Sequence, residues 1–169
     1  MAQYPQNLDD WIAETFPPDT RSPVLSNFQS ILDLWQGKKR DRKAPAWHDF
    51  EFGDFVGWYG WLCVFDITGN EPFRFHVRLW GIRIVDLMGH DPTGQEITCV
   101  AAELLEENYG YMLDDGEFFE KLQNEFLIGY TRSSIKWQFR DYIWYEEIML
   151  PLATYGDSID GFLTVSRRL

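Results

Sequence analysis

With 169 residues, 45% of them hydrophobic and 17% aromatic, the chain suits one folded domain and is too apolar to be disordered. Its 15 Lys and Arg against 27 Asp and Glu leave a net charge of −12, which repels phosphate backbones and argues against nucleic acid as a partner. Cys63 and Cys99 suit a reducing compartment, the start MAQYPQNLDD lacks the features of a signal peptide, and no run of about 18 apolar residues offers a membrane span, so the expectation is a cytoplasmic protein.

In chain order, residues 1–21 hold Pro5, Pro17 and Pro18 among polar residues; 1–23 read as a tail or arm, leaving 24–169 as the domain. A helix opens that domain. Ser22 is its N-cap, Pro23 its first position and Gly37 its expected stop. Between them Val24, Leu25, Phe28, Ile31, Leu32 and Trp35 recur on one face. The basic run Lys38 to Lys43 reads as a solvated loop, with no aromatic residue interleaved for stacking on bases. A short helix is expected over 49–56, then a strand over 61–67 and a hairpin loop from Thr68 to Pro72.

The clearest pattern follows. Phe73, Phe75, Val77 and Leu79 alternate with Arg74, His76 and Arg78, which predicts a strand with one buried face. At Gly81 the period changes. Ile82, Val85, Leu87 and Met88 fit a short helix stopped by Gly89, and Asp91-Pro92-Thr93-Gly94 is a turn. Thr98 can cap a helix over 99–108, and Asp114 with Glu117 has capping-box spacing for another over 117–130, its stripe formed by Phe118, Leu122 and Phe126. Strands are expected over 133–139, 142–150 and 158–166. Strands and helices in separate runs define an α+β domain.

Two blocks carry a resemblance. Arg74, Phe75, Arg78, Leu79, Gly81, Gly89, Asp91, Thr93 and Gly94 form the first; Tyr145-Glu146, Leu150-Pro151-Leu152 and Gly156 form the second. In this order and spacing they resemble the PAS domains of alphaproteobacterial proteins, over roughly Leu25 to Val165. Ile82, His76 and Val77 depart from the family's usual residues. The resemblance implies a PAS-like five-stranded antiparallel sheet with helices on one face. The N-terminal amphipathic helix would then lie across the outer face or against a second copy. It further implies a stand-alone sensory or signalling module that acts through protein–protein contacts and holds a small hydrophobic ligand between sheet and helices. The alternative is a constitutive dimerisation module with a filled core. On this reading Phe75, Val77, Leu79, Phe126 and Trp137 line the pocket. Val24, Leu25, Phe28, Ile31, Leu32 and Trp35 form the surface for another signalling protein or a homodimer.

Nothing in the sequence points to catalysis. His48, His76 and His90 lack metal-ligand spacing, and no haem or flavin signature accompanies the cysteines. No nucleophile has a local base, and Gly89 to Gly94 lacks the ending of a phosphate loop. Glu146 and Glu147 point to opposite faces of a strand and cannot act jointly as acid and base. Two strands lie between Arg78 and Glu146 in the PAS order, a gap of about 14 Å, so no direct bridge is expected.

Overall fold

Strand β1 (Ile12–Phe16) stands where a tail was expected, paired antiparallel with a strand from the far end of the chain, β5 (Ile128–Ile135). The structure is a computed structural model and describes residues 12–99, 116–135 and 140–169. The other strands are β2 (Leu62–Asn70), β3 (Phe73–Trp80), β4 (Glu96–Thr98), β6 (Arg140–Leu152) and β7 (Gly161–Arg168). All seven form one antiparallel sheet in the order β1-β5-β6-β7-β2-β3-β4. The α+β class stands, but the sheet is wider than the five strands expected. Edge strands β1 and β4 are short and carry no apolar alternation that would mark them in the sequence.

Among the described residues, three α-helices accompany the sheet: α1 (Gln29–Lys39), α2 (Ile82–Met88) and α3 (Gly116–Glu125). A 3-10 turn over Pro23–Phe28 precedes α1, with Ser22 Oγ accepting from the Val24 amide. Gly37 does not stop α1. The helix runs on to Lys39 and ends where Arg40 takes φ 53°. The basic run is largely held within the chain. Lys38 pairs with Asp54 at 2.7 Å, Arg42 pairs with Asp49, and Lys39 Nζ donates to the Arg42 carbonyl at 3.1 Å. Positive charge in the last turn also suits the helix dipole. In place of a helix over 49–56 there are 3-10 turns at Trp47–Asp49 and Phe52–Phe55.

The alternation in β3 holds for Phe73, Phe75 and Val77, which are buried, and then slips. Leu79 is 38% exposed while Trp80 is buried, because an irregularity opposite Val64 and Phe65 shifts the register. Helix α2 and its turn follow expectation: Gly89 ends it at φ 78°, Asp91 Oδ1 accepts from the Thr93 amide, and Gly94 has φ 82°. The helix expected over 99–108, Asp114 and its capping box lie outside the described residues. Helix α3 ends at Glu125 rather than Tyr130, since Phe126 adopts φ 57° and the chain turns into β5.

Alternation along β6 separates two faces. Glu146, Ile148 and Leu150 point one way, Tyr145, Glu147 and Met149 the other. On the Glu146 face lies the N-terminal segment: Asn27 Nδ2 donates to Glu146 at 2.7 Å, and the Phe28 ring meets Tyr130 edge-on at 6.4 Å. On the opposite face, Leu122 and Phe118 of α3 crowd over Gly129, beside Met149. Phe65, Phe73, Phe75, Phe119 and Phe162 pack there with successive ring centroids 4.7–5.8 Å apart.

Candidate functional site

The two glutamates of β6 face different surroundings. Glu146 is almost sealed, and its carboxylate accepts from Asn27 at 2.7 Å and Tyr130 Oη at 2.9 Å, with Arg167 3.7 Å away. Burial, reinforced by Glu146, pushes the Tyr130 phenol up to about 12. Arg78 plays no part in this group. Its guanidinium binds Asp66 in bidentate fashion at 2.8 and 3.1 Å, and strands β2 and β7 separate it from β6.

Glu147 lies on the face that carries α3. Ser166 Oγ donates to its carboxylate at 2.6 Å, yet loss of water raises its pKa to about 7, the hydrogen bond opposing that shift. Glu147 still keeps part of its surface accessible. Thr164 Oγ1 beside it has no nitrogen or oxygen partner among the described residues and rests against the Cys63 sulfur, a weak acceptor. Burial holds the Cys63 thiol well above its usual range, with Glu147 adding to the effect, so it stays protonated and inert near neutral pH.

A cleft of about 240 Å³ continues this row toward the end of the sheet, lined by Trp61, Arg83, Asp86, Leu87, Ile143 and Arg168. Ile143, Tyr145 and Glu147 share one face of β6, and Thr164, Ser166 and Arg168 one face of β7. In register, Glu147 is opposite Ser166 and Tyr145 opposite Arg168. Backbone hydrogen bonds hold the walls in place. The Ser166 amide donates to the Trp61 carbonyl, the Arg83 amide to Gly60, and the Leu169 amide to Trp144. The Arg83 guanidinium lies 5.9 Å from the Trp61 ring.

The expected site residues do not come together here. Phe75 and Val77 are buried in the packed interior, Leu79 is partly exposed, and Phe126 lies beneath the Lys43 ammonium, 4.2 Å from its ring centroid. Trp137 lies outside the described residues. Of the helical stripe offered to a partner, Leu25, Phe28, Ile31, Leu32 and Trp35 have no exposed surface, and only Val24 reaches solvent. That stripe covers the chain's own sheet, with Trp35 Nε1 donating to the Pro151 carbonyl at 2.8 Å. Trp61, Arg83 and Arg168 are far apart in sequence and belong to no motif, so nothing short of the folded chain reveals their cleft.

Among the described residues, no cluster of three His, Cys, Asp or Glu side chains could hold a metal ion, and no helix is long and apolar enough to cross a membrane. No family model, curated protein or solved structure matches the chain.

Proposed function

We propose that the chain is a PAS-type sensory module that binds a small molecule and acts through contacts with another protein rather than by catalysis. The central strands support the PAS reading: the last strand pairs with the first of the N-terminal pair, Val165 opposite Leu62, giving the order β5-β6-β7-β2-β3. The observation that carries the sensing function is the cleft between α2 and the ends of β6 and β7, where an occupant touches helix and sheet together. It would shift α2 against the sheet and alter the surface beside it. That surface is apolar and exposed: Ile82 at the start of α2, Val56, and the Phe52 and Tyr59 rings stacked at 4.6 Å. A ligand changes the output only by binding one arrangement of α2 better than the other.

The rings of Phe65, Phe73, Phe75, Phe119 and Phe162 favour a second reading, a constitutive interaction module with a filled interior. Native mass spectrometry of protein purified without denaturation separates the two. A small molecule released on unfolding, with the Trp61 indole resonance shifting when it is added back, supports sensing. A bare polypeptide mass, with no Trp61 shift across a fragment library, overturns sensing in favour of the constitutive module.

A further inference from the structure

Resting on the reading of this cleft as a ligand site, we infer that its occupant is a small aromatic monocarboxylate. Its carboxylate lies between Arg83 and Arg168 and its ring against Trp61, Leu87 and Ile143.

Charge makes the first argument. Arg83 and Arg168 line one cleft, and neither is in any ion pair found among the described residues, although acidic side chains far outnumber basic ones in this chain. Arg21, Lys38, Arg42, Arg74, Arg78 and Arg167 have a carboxylate within 4.0 Å; among the described residues Lys39, Arg40, Lys43, Lys121 and Arg132 do not, and what sets Arg83 and Arg168 apart is that both line one cleft. Even Asp86, three residues from Arg83 on α2, where side chains are neighbours, forms no pair with it. Two guanidiniums against the single carboxylate of Asp86 leave the lining net positive, and a bound carboxylate offsets that excess while gaining charge-assisted hydrogen bonds.

Shape and sign narrow the class. Trp61, Leu87 and Ile143 offer a flat indole and two aliphatic walls, which suit a ring. A volume of about 240 Å³ is below the roughly 300–1,000 Å³ typical of drug-sized pockets, which leaves space for one ring with a short acidic arm. Asp86 on the same rim and the net charge of −12 both oppose a second carboxylate. The selection is therefore for a monoanion.

The cleft is also built to hold Arg83 in position. At Gly60, which has φ 84°, a Cβ would come within 3.0 Å of Arg83 Cγ; glycine leaves room for the arginine stem to lie along the turn toward Trp61.

The test titrates the full chain with 3-phenylpropionate, its neutral analogue 3-phenylpropanamide, and acetate, following the Trp61 indole and Leu87 methyl resonances. The inference expects 3-phenylpropionate to bind about tenfold or more tighter than either comparison compound, and Arg83→Gln or Arg168→Gln to remove most of that preference. Both arginines are exposed, so thermal midpoints should match the parent. Acid and amide binding equally at Trp61 would overturn the carboxylate but leave a sensing cleft for neutral ligands. No shift with any of the three overturns the inference, while a different molecule co-purifying with the chain would still support sensing.

Discussion

A Cβ placed on Gly81 would lie 2.2 Å from the carbonyl oxygen of Gly60. These two glycines bring the start of α2 against the turn that leads into β2, and the Arg83 and Ile84 amides both donate to the Gly60 carbonyl. Gly81 itself has φ −64°, so its requirement is for space rather than for an unusual backbone. The Gly81→Ala variant should lose about 3 kcal/mol of stability through overpacking, measured by urea denaturation. It should also pull Arg83 away from Trp61, seen as a change in the indole resonance. Parent-like stability would mean the turn yields without cost.

The N-terminal stripe predicts a different outcome for truncation than a dimer helix would. Leu25, Phe28, Ile31, Leu32 and Trp35 cover one face of the sheet, so removing residues 1–36 uncovers that face and also removes β1 from the β5 edge. The truncated chain should aggregate or lose its cooperative unfolding transition, checked by light scattering and circular dichroism. A well-folded monomer would contradict this arrangement.

Glu147 predicts a pH dependence. Its pKa is raised from 4.5 to about 7, so between those values the folded state holds a proton that the unfolded state has released. Stability is therefore greatest below about pH 4.5 for this group and falls as pH rises toward 7, by a total on the order of 3 kcal/mol. Glu147→Gln should flatten that slope and raise stability at pH 8, as read by denaturation at pH 5 and pH 8. An unchanged slope would place the raised pKa elsewhere.

Glu146 predicts a loss of a different kind. Glu146→Ala leaves Tyr130 Oη and Asn27 Nδ2 without their acceptor in a sealed site and should cost about 3 kcal/mol. Glu146→Gln keeps an acceptor oxygen and should lose less. A double-mutant cycle with Asn27→Ala measures how firmly the N-terminal segment is tied to the sheet. Zero coupling energy would show that the apolar stripe alone holds it.

Local patterns announced β3, the Gly81–Gly89 helix, the Asp91 turn and the apolar stripe, because alternation, helical spacing and turn chemistry act over a few neighbouring residues. Opposite directions for Glu146 and Glu147 followed from strand geometry in the same way. Which sheet face the stripe covers, the pairing of Ile12–Phe16 with β5, the slip that exposes Leu79, and the meeting of Trp61, Arg83 and Arg168 depend on register between segments distant in sequence. Those outcomes are set when whole surfaces pack together, and no local stretch of the chain contains the energy difference that chooses among them.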